Sequence, residues 1–198
     1  MVPTAVLQTS LRGDRDYITG ADLCDSVNQI VLDRSAQQSW LAALKFRQFT
    51  KKFCVLMPLA EIQKGQSIVA TGRITDGRTD AKLAVVETKD PVISRVAFDE
   101  QPIRASAVVD GDTIQQTTRA GLSFIDEAVG LTKLLHTTTI GGGGQWIFTS
   151  IELSERLLDT DDPITVTIGA RVGDSATRST ITAANRPIAS IGFRKVAA

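Results

Sequence analysis

Asp126 and Glu127 are adjacent carboxylates, and His136, the only histidine in the chain, follows them in the run SFIDEAVGLTKLLH from Ser123 to His136. A carboxylate near a reacting carbonyl activates water as a general base or attacks as a nucleophile. A histidine beside it would supply an acid near neutral pH. Spacing restricts these combinations. Leu122, Ile125 and Val129 recur at helical intervals, so the run reads as an amphipathic helix. His136 then lies ten residues beyond Asp126 (136 − 126). That is about 15 Å along the axis, too far for a direct pair. Asp126 and Glu127 point about 100° apart, so one pocket receives only one of them. Acidic residues in the first turns and a cation in the last also suit the helix dipole. His136 therefore reads as a cap or surface residue.

A second candidate helix carries Asp22, Asp25 and Asn28, with Leu23, Val27 and Ile30 as its apolar stripe. Tyr17, the only tyrosine, ends the charged run RGDRDY. That run reads as a solvated turn, with Tyr17 placed to donate a hydrogen bond to a carbonyl. Lys45, Arg47, Lys51 and Lys52 in KFRQFTKK form the densest basic patch, on a half-exposed strand where cations and aromatics alternate. Gly141 to Gly144 lack the spacing of a phosphate loop and read as a linker.

Composition bounds the class. With 198 residues the chain can bury a sizeable core, and 42% hydrophobic with 22% charged residues is ordinary for a water-soluble globular protein. Lys plus Arg and Asp plus Glu both number 22, so no basic surplus points to nucleic acid or to an anionic membrane. No apolar run is long enough to span a bilayer, and the N-terminal residues lack a basic, then apolar, leader pattern. Cys24 and Cys54 have no metal-type spacing and are too few for a disulfide framework. A reduced, cytoplasmic setting without metal or cofactor is expected.

The chain reads as one unit written twice. Ile68–Pro91, IVATGRITDGRTDAKLAVVETKDP, runs parallel in pattern to Ile164–Pro187, ITVTIGARVGDSATRSTITAANRP: an alternating segment, a turn, another alternating segment, then Pro. VISRVAF and IASIGF follow, each closing on a Phe (Phe98, Phe193). Upstream, Thr19–Val31 can be laid on Ala120–Thr132, with Gly20 on Gly121 and Asp25 on Asp126. Short strand candidates, Ala5–Leu11 and Thr113–Thr118, precede the helices, and Trp40 and Trp146 open the strands after them. Each half is thus strand, helix, then about four antiparallel strands. The polar segment FDEQPIR, Phe98–Arg104, reads as the linker between repeats 1–100 and 101–198.

This order resembles the hotdog superfamily, in which a sheet wraps a central helix. A tandem copy makes an α+β double hotdog, in which pairing of the copies removes exposed sheet edges. An α+β domain of unrelated sheet topology is the other architecture compatible with the pattern. The resemblance implies acyl-thioester substrates carried by coenzyme A or an acyl carrier protein. DEAVGL is similar to the helix of hotdog thioesterases, where an acidic residue precedes small ones. A single glycine leads in here, where many of those enzymes carry His-Gly-Gly. Carried over, Asp126 or Glu127 is the catalytic base or nucleophile, and backbone N–H groups near Gly121 and Leu122 hold the oxyanion. Tyr17 and Asp25 are the substrate-binding counterparts in the other copy. Lys45–Lys52 becomes a docking surface for coenzyme A phosphates or an acidic carrier. The resemblance also admits a non-catalytic acyl-binding or assembly protein, and a decarboxylase or acyltransferase of polyketide type, which would favour Tyr17. With one distant histidine, dehydration is not expected. A monomer of two repeats and a homodimer both satisfy the plan.

Overall fold

The computed structural model describes residues 2–34, 39–141, 143–157 and 161–197. The chain divides into two compact units, Met1–Phe98 with Glu155–Leu157, and Asp99–Ser154 with Leu158–Ala198.

In the first unit, β1 (Ala5–Val6) and β2 (Leu11–Arg12) precede helix α1 (Gly20–Arg34). There follow β3 (Trp40–Phe46), β4 (Lys52–Pro58), β5 (Ile68–Thr75), β6 (Asp80–Pro91) and β7 (Arg95–Val96). Five strands form an antiparallel sheet in the order β1-β4-β6-β5-β3, while β2 and β7 make a separate parallel pair. Alternation marks the helix-facing row, although in β6 the whole run Leu83–Val86 is buried. Leu44, Ala70, Leu83, Val85 and Leu56 face inward and are buried, and α1 packs on β3 through its own stripe of Ala21, Cys24, Val27 and Val31. Each such Leu or Val contributes about 1.5–3 kcal/mol on leaving water.

The second unit begins with helix α2 (Gln101–Ala105), then β8 (Ala107–Asp110), β9 (Thr113–Gln116) and helix α3 (Phe124–Thr139). It ends with β10 (Gln145–Leu153), β11 (Ile164–Val172), β12 (Ala176–Ala183) and β13 (Arg186–Val196). Its strand order is β10-β13-β12-β11-β9-β8. Helix α3 lies against β9, β10 and β11 and buries Ile125, Ala128, Leu131 and Leu135 completely. The helix stops at Gly141, whose φ of +57° and N–H donated to the His136 carbonyl cap its C-terminus.

Both units are therefore a helix on an antiparallel sheet, as the element order indicates, but their strand connections differ. β5 lies between β6 and β3, whereas β11 lies between β12 and β9. Laying Ile68–Pro91 on Ile164–Pro187 thus pairs strands that hold different places in their sheets. The prolines differ too. Pro91 closes β6, while Pro187 sits inside β13, because Ala184 and Asn185, with φ of 50° and 58°, turn the chain just before it. VISRVAF does not match IASIGF either. The first supplies only β7, with Ile93 87% exposed, whereas the second becomes β13, paired on both sides, with Phe193 buried. An alternating hairpin specifies a ribbon and its buried face; it carries no information on which strand lies beyond each edge.

Three further expectations change. FDEQPIR is not plain linker: Asp99 accepts from Gln101 N at 2.9 Å, Pro102 sits in the first turn of α2, and Ile103 is buried beneath Gly130. Ala5–Leu11 supplies two short strands rather than one. The glycine run keeps its reading as the connection from α3 to β10, with Gly141 after the helix and Gly144 leading into the strand, while Gly142 lies outside the described residues. The basic patch is divided. Lys51 pairs with Asp16 at 2.5 Å and Lys52 with Glu87 at 3.7 Å, while Lys45 and Arg47 are exposed and make no ion pair among the described residues. No helix among the described residues is long and apolar enough to cross a membrane. Cys24 and Cys54 are buried free thiols, and burial pushes the Cys54 pKa up to about 12.

Candidate functional site

The first turn of α3 is held by its own sequence. Ser123 adopts extended backbone at the N-cap, and its Oγ accepts from Asp126 N at 3.0 Å. Phe124 and Ile125 are the first helical residues, and their N–H groups have no acceptor within the helix. Asp126 is the third helical residue and only 7% exposed.

Glu127 is fully buried and engaged on both oxygens. Oε2 accepts from Gln116 Nε2 and from Arg119 Nε, each at 2.7 Å, and Oε1 accepts from Leu122 N at 3.0 Å. Arg119 also donates Nη2 to the Leu122 carbonyl at 3.2 Å and lies 5.9 Å from the Phe124 ring centroid. Gln116 Oε1 accepts from Ile164 N at 3.3 Å. One carboxylate thus ties β9, the loop before α3 and, through Gln116, the start of β11. Burial pushes the Glu127 carboxyl up, but the Arg119, Gln116 and Ala120 donors outweigh it and hold its pKa below the ordinary value.

Gly121 and Leu122 stand before the helix rather than in it. Gly121 is exposed with φ +77°, and Leu122 gives its N–H to Glu127. That N–H is therefore already committed, and the N–H groups left at this helix start are those of Phe124 and Ile125. His136 is neither a cap nor a surface group. It is 0% exposed, its Nε2 lies 2.9 Å from Thr177 Oγ1, and its ring lies 4.3 Å from Trp146 and 5.2 Å from Phe193. Burial, with Arg171 adding to it, lowers its pKa to about 4, so the ring is neutral at neutral pH. The sequence misplaces it because a helix C-terminus favours a cation only where water reaches it, and position 136 faces the sheet.

In the first unit, Thr19 Oγ1 accepts from Asp22 N at 3.2 Å, as Ser123 does for Asp126. The caps set the correspondence of the helices at 104 residues (123 − 19), so Asp22, not Asp25, is the counterpart of Asp126. Asp22 accepts from Arg12 Nη2 at 2.7 Å and from Ser10 N at 3.1 Å. Asp25 is half-buried on α1, where it adds to the burial that raises the Cys24 pKa. Tyr17 packs its ring 4.7 Å from Phe49. The clamp residues Gln116, Arg119 and Arg12, and the clamp role of Asp22, are additions to the sequence reading. Their sequence signal is Thr19-x-x-Asp22 and Ser123-x-x-Asp126, a capping motif that fixes where each helix begins. No cluster of three or more potential metal ligands occurs among the described residues.

No protein-family model matches the sequence, and no curated protein matches it. Solved structures do match its backbone. A Thermobifida fusca YX protein named as a thioesterase II is 14% identical, with a TM-score of 0.51, over 98% of this chain and 91% of its own. The dehydratase domain of the polyketide PpsC from Mycobacterium tuberculosis is 13% identical, with a TM-score of 0.51, over 100% and 93%. The same domain in complex with C12:1-CoA is 14% identical, with a TM-score of 0.50, over 98% and 93%. With the element order described above, these matches establish a hotdog fold.

Proposed function

We propose that the protein processes acyl thioesters of coenzyme A or an acyl carrier protein, and that its reaction is hydrolysis at the N-terminus of α3. The observation carrying this reading is the capped start of α3. Ser123 Oγ accepts from Asp126 N at 3.0 Å and sets Asp126 in the first turn beside the N–H groups of Phe124 and Ile125, and the three donors on Glu127 hold that turn in place. A structure of this fold that holds C12:1-CoA supports an acyl-coenzyme A ligand.

Asp126 takes a proton from water as the water oxygen bonds to the thioester carbon. The carbonyl electrons move onto oxygen, where the helix-start N–H groups and the positive end of the dipole stabilise them. Collapse breaks the C–S bond, and the leaving thiolate takes the proton back from Asp126, releasing a carboxylic acid and a thiol. Glu127, Arg119 and Gln116 position the helix start, and Leu122 N–H belongs to that clamp. Buried His136 takes no part.

The experiment is thiol release from a panel of acyl-coenzyme A substrates, with Asp126→Asn alongside. Turnover that the variant loses, at unchanged melting temperature, supports the reading. Ligand-dependent melting shifts with no turnover of any substrate would replace it with a non-catalytic binding protein.

A further inference from the structure

We infer that Ile103, seated against Gly130 one turn beyond Asp126, closes the acyl end of the proposed site and restricts it to short chains, of about four to six carbons. This deepens the proposed function and rests on it for the reacting position.

Helix geometry brings the parts together. Asp126 and Gly130 each lie two residues from Ala128, about 200° round the helix, and so share the side of α3 opposite the one packed on the sheet. They are neighbours along that side, one turn and about 6 Å apart. Gly130 brings no side chain of its own, and α2 supplies one. A β-carbon at position 130 would stand 2.6 Å from Ile103 Cδ1 and 3.4 Å from its Cγ2, so Ile103 fills the place that a side chain there would take. Ile103 is buried, and its backbone is pinned. Its carbonyl accepts from Ser106 Oγ at 3.1 Å, Ser106 N donates to the Pro102 carbonyl at 3.2 Å, and the Ser106 carbonyl accepts from Thr117 N at 2.8 Å. The wall is therefore part of the folded core and not a flap.

The distance sets the chain length. A thioester whose carbonyl oxygen meets the Phe124 and Ile125 N–H groups has two arms. The carrier arm ends in a charged nucleotide or a protein and stays in water, so the acyl arm is the one that runs along α3 toward buried Ile103. With a C–C bond of about 1.5 Å, an extended chain advances about 1.3 Å per carbon, so about five carbons span the 6 Å before the wall. Interiors are close-packed, so a longer chain has to displace Ile103 or bend.

The test measures binding separately from turnover. Ketone analogues of acyl-coenzyme A, with a methylene between sulfur and carbonyl, keep the carbonyl oxygen and cannot be hydrolysed. Their affinities for the protein are measured by calorimetry over acyl lengths from about four to about twelve carbons. Affinity is expected to rise to about six carbons and then to break, falling roughly tenfold or more per added carbon. Ile103→Val removes the Cδ1 that meets Gly130 and should move the break by about one carbon, and Ile103→Ala by about three. Adding Gly130→Ala to Ile103→Val refills that space and should return the break to its wild-type position. A purely structural role would lower the melting temperature and leave the break in place. The valine variant decides the matter if the alanine variant does not fold. Affinity that rises without a break to the longest analogue, a break that no Ile103 variant moves, or no binding of any analogue would overturn the inference. A break that moves, with no hydrolysis of any thioester, leaves the wall intact and removes the hydrolase reading. Hydrolysis lost in Asp126→Asn, with a break that stays fixed, does the reverse.

Discussion

The starts of α1 and α3 use the same parts to different ends. Each has a hydroxyl N-cap, Thr19 or Ser123, three residues before an aspartate. Each has an arginine from the preceding segment reaching back to a buried carboxylate. In α1 that carboxylate is the capped aspartate itself, Asp22. In α3 the arginine has moved one position along the helix, to Glu127. The two helix starts, whose sequence patterns look alike, are thus anchored through different carboxylates, and it is the proposed function that gives Asp126 the chemistry and Asp22 the scaffold.

The sharpest way to break this comparison is to neutralise both aspartates in turn. Asp126→Asn should lower kcat by roughly 10²–10⁴, the range of a lost general base, with little change in melting temperature. Asp22→Asn should leave kcat near wild type but cost roughly 1–3 kcal/mol, because Arg12 and Ser10 N lose a charged acceptor in a largely buried site. Steady-state kinetics and denaturant melts on the two variants decide it. Equal kinetic losses would mean that both helices carry chemistry.

Removing the clamp should act on structure first. Glu127→Ala strands the Gln116, Arg119 and Leu122 donors, and about 3–5 kcal/mol of stability is expected to go, as for a buried pair deprived of one partner. Glu127→Gln keeps the shape and should cost less. If the glutamine variant is stable yet fully inactive, Glu127 is itself a reacting group.

The helices also differ at their far ends, where only α3 buries a histidine. The His136 pKa in the folded protein, about 4, lies below its ordinary value of 6.5. The unfolded chain therefore takes up the proton first as pH falls. His136 contributes nothing to pH dependence above about 6.5, and stability is lost progressively from there to about 4, by up to about 3 kcal/mol. The Glu127 pKa is depressed as well, so its contribution is present above the ordinary carboxylate range and is lost at lower pH. Urea melts between pH 7 and 4 should show the His136 slope, and His136→Phe should flatten it. A slope unchanged in that variant would assign the acid sensitivity elsewhere.

These contrasts show what a single sequence carries. Helix positions were legible because Leu23, Val27, Ile125 and Val129 repeat at the helical period. The choice of a helix-on-sheet unit followed from the alternating strands around them. Glu127's role was not legible, since its partners Gln116 and Arg119 lie eleven and eight residues upstream, one on β9 and one in the loop after it, outside the helix's own periodicity. Burial of His136 escaped for a related reason: the partners that enclose it, Trp146, Thr177 and Phe193, come from three later strands. Strand order escaped because hairpin patterns are local, while β4 and β5, or β11 and β13, find their neighbours across long separations.

The smallest expected effects sharpen the comparison most finely. Ser123→Ala and Thr19→Ala each delete one cap acceptor, and each should cost about 1 kcal/mol of stability. Their kinetics should diverge. The Ser123 hydroxyl holds the N–H of Asp126 and so fixes the backbone that aims that carboxylate. Ser123→Ala should therefore lower kcat severalfold with KM little changed, and Ser123→Thr should restore it. Thr19→Ala touches only the turn that carries Asp22, so kcat should not move. The pair shares one chemical change and one thermodynamic cost, so any kinetic gap between them measures what the α3 start does beyond folding.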